Sequence, residues 1–261
     1  MIKVRPQAVC PEGGHNVFAY DYLDHDFLDL ITKVTPLRAS RQILETSLRG
    51  LADLHDRDIV HLDVKPSNIV ASLNTASLDV VEKTTVIDIE NAAYLPYSRH
   101  IKGTLIGHEY WRTPEAHFKG KLNKPTDIFI YALVCIHTVL GRIIQYGDAD
   151  LVNHVKQGTY PTLVRLQRLV AYFGCGAGLE GLKRHVGDEN INCQILDAFW
   201  EDTIADYHEY RPFKEWPDVT DAAFADLIVK MTNLDPGERL RAEEALAHPW
   251  FDIATDMEVL Q

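Results

Sequence analysis

Within the ten residues Ile59-Val60-His61-Leu62-Asp63-Val64-Lys65-Pro66-Ser67-Asn68, an aspartate, a lysine and an asparagine follow one another at close spacing. Asp88 lies 25 residues beyond Asp63 and closes the run 84–87. An aspartate can take a proton from a hydroxyl, and a lysine can neutralise phosphate charge. An asparagine together with a second aspartate can hold magnesium through hard oxygen donors. Together these residues are suited to phosphoryl transfer, and the spacing H-x-D-x-x-x-x-N is the specific part of the signal.

The flanking patterns indicate what positions them. Val17 to Leu23 is rich in aromatic and β-branched residues and predicts a strand. Val4 to Val9 is its expected hairpin partner, across a turn at Pro11-Glu12-Gly13-Gly14. The spacing of Phe27, Leu28, Leu30 and Ile31, then of Ile43, Leu44, Leu48, Leu51 and Leu54, predicts two helices. Ile69 to Ala71 and Thr84 to Ile89 are expected as short strands, which puts Asp63, Lys65 and Asn68 on a loop and Asp88 at a strand tip. Ile128 to Leu140 is apolar on nearly every side and predicts a helix buried all round. Being thirteen residues long, it is too short to span a bilayer, which takes roughly 18. Gly174-Cys175-Gly176-Ala177-Gly178 follows a helical pattern over Leu163 to Tyr172, so it reads as a helix cap and turn and not as a phosphate-cradling loop. Asp148 and Asp150 open like a calcium loop, but Val152, Asn153 and Thr159 then stand at its ligand and glycine positions, which predicts a solvated loop. The fold class expected is α+β, predominantly helical.

Composition narrows the partners. The 261 residues carry 26 Lys plus Arg against 38 Asp plus Glu, a net charge of −12, which disfavours nucleic acid and anionic membrane surfaces. With 46% hydrophobic and 25% charged residues the chain can bury a sizeable core. Cys10, Cys135, Cys175 and Cys193 show no metal-ligand spacing and read as reduced, buried thiols. Met1 to Pro6 contains no apolar segment of the secretory kind, so an intracellular location, cytoplasmic or nuclear, is expected.

The ordered motifs resemble those of the eukaryotic-type protein kinase family, of the serine/threonine kind, over nearly the whole chain. His61 to Asn68 is similar to the catalytic loop, Asp88-Ile89-Glu90 stands where D-F-G would be, and Thr113-Pro114-Glu115 stands for A-P-E. Asp127 to Ala132 resembles the opening of the buried central helix. Asp235 to Arg239 with Ala245 to Phe251 is similar to the C-terminal signature. The resemblance implies ATP and Mg2+ as cofactors and transfer of the γ-phosphate to a protein hydroxyl. Asp63 would be the base, Lys65 would steady the phosphate, and Asn68 and Asp88 would hold the metal. It also implies that Asp21 and Leu23 belong to a hinge that meets adenine, with Tyr20 behind the nucleotide and Val70 beneath it. Glu115 would pair with Arg239, and Asp127 would hold the backbone around His61.

Departures from the pattern set the remaining expectations. Only sixteen residues precede Val17, with no G-x-G-x-x-G and no V-A-I-K, so residues 1–23 read as a remnant of the small lobe and 24–261 as the large lobe. Lys3 is a conceivable substitute cation. An unpaired strand edge then calls for a protein partner or self-association. Leu62 replaces the arginine that clamps a phosphorylated activation segment, so phosphates on Tyr97, Ser98 or Thr104 would lack that partner. Glu90 replaces glycine, with Ile89 still expected to pack, and His108 stands where a threonine would contact the catalytic loop. Two readings follow: a serine/threonine kinase-like enzyme impaired by the missing elements, or a catalytically inactive pseudokinase that serves as an interaction module.

Overall fold

Apolar residues spaced three and four apart drive the first long helices inward. In the computed structural model, which describes residues 8–12, 15–33, 35–74, 77–96, 98–187, 190–205 and 210–252, they form α1 (Phe27–Thr32) and α2 (Leu37–His55). Ile43, Leu44, Leu48 and Leu51 of α2 are fully buried. Helix α4 (Lys124–Leu140) is buried from Thr126 to His137, as its uniform hydropathy requires. It starts at a reciprocal cap between Asn123 and Thr126 and ends on Gly141, whose φ of 69° is the left-handed conformation that glycine takes without steric cost. Tyr131 of α4 reaches α2, where its hydroxyl shares a 2.7 Å hydrogen bond with Ser47 Oγ.

Before these helices stand β1 (Ala8–Glu12) and β2 (His15–Ala19), an antiparallel pair with Val9 opposite Phe18. The expected hairpin is present with other limits: Tyr20 to Leu23 is not strand, and β1 runs on past Val9 to Glu12, while residues 4–7 of the expected partner strand lie outside the described residues. Gly13, Gly14, Lys3 and Tyr97, on which expectations rested, lie outside the described residues. A three-stranded antiparallel sheet joins β3 (His25–Asp26), β5 (Ile69–Asn74) and β6 (Ser77–Val86) in the order β3-β5-β6. Strand β4 (Ile59–Val60) pairs with β7 (Ala93–Tyr94). Ile87, Asp88 and Ile89 fall beyond the end of β6, so Asp88 sits two residues past a strand and not at its tip. Ile89 is 58% exposed and does not pack as expected.

The lower body comprises α3 (Pro114–His117), α5 (Ala149–Lys156), α6 (Pro161–Phe173), α7 (Gly176–Val186), α8 (Asn190–Ile204), α9 (Ala222–Met231) and α10 (Ala242–Leu246). Edge-to-face and tilted aromatic contacts run from Phe129 to Phe173, Phe213, Phe224 and Trp250 and stitch α4, α6 and α9 together. Gly174 caps α6 as expected, and Cys175 caps α7, its sulfur accepting from Gly178 N. Cys175 is therefore exposed and Cys193 half-buried; of the described thiols Cys135 alone is buried. Asp148 and Asp150 are not a solvated loop. Asp148 caps α5, and both carboxylates bind Arg168 Nη2, at 2.6 and 2.8 Å.

A buried ion pair holds the body together. Arg239 donates to both Glu115 oxygens at 2.8 and 2.9 Å with neither side chain exposed, the pairing the family resemblance implies. Burial pushes the Glu115 carboxyl up, but Arg239 outweighs it and holds the group below its ordinary value. At the end of α3, His117 is buried with Nδ1 unpartnered, and burial, aided by Arg112, lowers its pKa from 6.5 to about 4. The unfolded chain thus holds the extra proton between pH 6.5 and about 4. Stability from this group is complete above the upper value and falls as pH drops through the window, by about 3 kcal/mol in all. Thermal midpoints measured from pH 7 to 4 should fall less steeply for His117→Gln than for the wild type; equal slopes would refute the assignment.

Candidate active site

The loop after β4 is fixed by one carboxylate. Asp127, fully buried near the start of α4, accepts from His61 N at 2.7 Å and Leu62 N at 2.8 Å, and it lies 2.9 Å from His55 Nε2. These bonds hold Leu62 at φ 67°, a left-handed conformation that costs a branched residue on the order of 1–3 kcal/mol. The Leu62 side chain is buried with Val60, Leu95, Ala116 and Leu122 in an apolar cluster separate from the main core.

With the backbone set, the polar side chains converge. Lys65 Nζ donates to Asp63 Oδ2 at 2.7 Å. Asn68 Nδ2 donates to Asp63 O at 2.9 Å and more weakly to Asp63 Oδ2 at 3.4 Å. Asp63 is 8% exposed. Ile87 brings in the fourth residue: its N–H donates to Asn68 O at 2.9 Å, and its carbonyl accepts from His61 Nε2 at 3.0 Å. His61 Nδ1 accepts from Asp63 N at 3.3 Å, so the imidazole carries its proton on Nε2. Both backbone groups of Ile87 are therefore held by the loop, and Asp88 follows directly in the left-handed conformation, at φ 64° and ψ 55°, which aspartate tolerates better than most residues.

Among the described residues there is no group of three or more His, Cys, Asp or Glu suited to a metal. The donors at Asn68 and Asp88 fit a hard cation that keeps its other positions for water and phosphate oxygens. Both hydrogen bonds of the Asn68 amide use Nδ2, which leaves Oδ1 for a cation. Asp88 is exposed and makes no hydrogen bond or ion pair among the described residues.

The nucleotide-side residues are less closely gathered. Asp21 pairs with Lys83 on β6 at 2.8 Å. Val70 sits on β5 opposite Asp26 of β3 and, like Leu23, is half-buried. Tyr20 is 51% exposed. Three further residues carry no motif. His55 reads as an ordinary helix-end residue, yet it joins the Asp127 network. Lys83 anchors Asp21. Arg112 donates to Gly107 O at 3.0 Å and to Ile106 O at 3.4 Å, with Gly107 at φ 78°.

The comparisons agree with this geometry. Residues 4–251 match the protein kinase domain model. The chain belongs to the protein kinase family. Cyclin-dependent kinase B2-2 of Arabidopsis thaliana is 24% identical over 264 residues, covering 96% of this chain and 72% of that protein. The stress-activated protein kinase JNK of Suberites domuncula is 28% identical over 221 residues, covering 82% of this chain and 54% of that protein. In structure, a chain of the yeast RNA polymerase II CTD kinase CTDK-1 complex superposes with a TM-score of 0.70 at 17% identity, covering 97% of this chain and 77% of that one. That likeness shows the protein-kinase fold. No helix among the described residues is long and apolar enough to cross a membrane.

Because Asp127 carries two loop amides, Asp127→Asn turns one acceptor oxygen into a donor against them. Chemical denaturation should show a loss of roughly 3 kcal/mol. A midpoint within experimental error of the wild type would mean that the loop is held by something else.

Proposed function

We propose that this chain is a serine/threonine protein kinase that transfers the γ-phosphoryl group of ATP to a protein hydroxyl. The observation that carries the reading is the hydrogen-bonded set Asp63, Lys65 and Asn68, with Asp88 delivered beside it through Ile87. Asp63 accepts the proton of the attacking hydroxyl. The ammonium of Lys65, bound to the same carboxylate, orients it and offsets the negative charge that develops on the phosphoryl oxygens. Asn68 and Asp88 are the residues that would hold magnesium, which when bound neutralises the phosphate oxygens. Asp21, Leu23 and Val70 form the nucleotide side, where ATP would lie between the hinge and β5. In this reading residues 1–23 contribute strands and hinge, residues 24–261 form the large lobe, and the protein works inside the cell.

The segment that receives substrate has its own chemistry. Arg112 occupies the carbonyls of Ile106 and Gly107. A peptide laid along it finds those carbonyls already engaged and poorer acceptors for a backbone N–H, and proline, having none, loses nothing. Tyr20 and Tyr22, 51% and 85% exposed, adjoin the β1–β2 pair and are the surface for a protein partner. The yeast neighbour was determined in a complex, which favours such a partner. A second reading, a pseudokinase acting as an interaction module, draws on Glu90 beside Asp88 and on the same exposed tyrosines.

Incubation with magnesium, labelled ATP and a generic protein substrate should give transfer that falls about 100-fold or more in Asp63→Asn. Absence of transfer together with absence of a thermal shift on adding magnesium and ATP would sink the enzyme reading and leave the module. Among peptides, a Ser-Pro sequence should be phosphorylated roughly tenfold faster than its Ser-Ala counterpart, since an unpaired amide costs about 1–3 kcal/mol. Equal rates would remove the role given to Arg112.

A further inference from the structure

Away from the catalytic loop, a cavity of about 650 Å³ opens between the end of α4, the following loop, α6 and the segment leading to Trp216. Its size falls within the ~300–1,000 Å³ typical of small-molecule sites. Its charged and aromatic walls are already mutually engaged. The Arg142 guanidinium stacks over Trp216 at 4.2 Å and donates to both Asp218 oxygens at 2.6 and 2.7 Å. Arg168 is taken by Asp148 and Asp150, and Trp216 Nε1 donates to Arg211 O at 2.8 Å. Tyr172 meets Trp216 edge-on at 4.8 Å.

His137 is the exception. It lines the cavity, is 7% exposed, and neither ring nitrogen makes a well-formed hydrogen bond, the Arg142 backbone offering at most a weak one. A buried polar group without a well-formed hydrogen bond is destabilising, and a ligand offering a donor or acceptor would recover that loss. Burial lowers the pKa of His137, only partly offset by the Arg142 backbone. The ring is therefore uncharged at neutral pH, with one donor and one acceptor. A half-turn about its last torsion exchanges nitrogen and carbon positions without changing its shape, so a nitrogen can be offered to the cavity.

We propose that this cavity binds an uncharged planar aromatic molecule bearing an amide-type donor and acceptor, with His137 as its hydrogen-bonding partner and Trp216 and Tyr172 as its aromatic walls. An anion is disfavoured because Arg142 and Arg168 already have carboxylate partners, and a cation because Arg142, Arg168 and Arg211 outnumber the Asp148 and Glu215 carboxylates in the wall. The inference does not depend on the kinase reading, and its test does not use activity.

The test titrates the full chain, labelled for NMR, with three compounds of one shape and different charge: benzamide, benzoate and benzamidinium. Benzamide should shift the Trp216 indole signal saturably and more tightly than either ion. His137→Phe should weaken benzamide about 3- to 10-fold, the equivalent of one hydrogen bond. The same variant, having lost a polar group without a well-formed hydrogen bond, should not lower the thermal midpoint. No saturable shift, equal binding of a charged compound, unchanged affinity in His137→Phe, or a marked fall in its midpoint would each overturn the proposal.

Discussion

Everything that resembles chemistry in this chain hangs on the carboxylate of Asp127. A buried, ionised group is costly unless fully bonded, and here two backbone amides and an imidazole surround it. The exchange is mutual. The amides of His61 and Leu62, drawn into a strained turn, would themselves be buried donors without acceptors. The central helix therefore does more than fill the core: its first turn carries the one charge that can hold the loop in place.

From that point the geometry propagates through the backbone. His61 is oriented by its own loop and holds the Ile87 carbonyl, while Asn68 holds the Ile87 amide. Two segments about twenty residues apart are thereby locked side by side, and Asp88 inherits its place from its neighbour. Farther down, the buried Glu115–Arg239 pair fixes the end of the same segment to the C-terminal helices. A buried ion pair adds little net stability over an apolar pair of similar volume, but losing one partner is severe. Its value here is registry: it joins residues 124 positions apart in sequence.

How far the sequence could be read depended on the kind of signal. The grouping of Asp63, Lys65 and Asn68 was legible because all three lie within six residues of one loop, where the structure joins them by hydrogen bonds. The uniform hydropathy of Ile128 to Leu140 likewise admitted only a buried helix. Strand limits near Tyr20 and Ile87 were not legible, since short apolar runs fit several registers until tertiary pairing selects one. Asp148 and Asp150 were read as solvated because their partner, Arg168, comes from another helix, and no local pattern announces a contact across twenty residues. The pairings of His55 and Lys83 were hidden for the same reason, whereas Arg112 bonds carbonyls five and six residues away that only the turn at Gly107 brings round to it. Cys175 misled in the opposite way: cysteine is usually buried, but a cap position on a helix faces outward.

Leu62 carries a last consequence. Where a charged residue would hold the segment between Asp88 and Glu115 to the catalytic loop through phosphate, this chain packs side chains with no charge: Leu62 from the loop, Val60 from β4, Leu95 from the segment, Ala116 and Leu122 beyond it. Contacts of that kind are not screened by ions, and cooling weakens the hydrophobic drive behind them. This contact between loop and segment is thus set by temperature and by the shape of five side chains, and ions in solution do not screen it.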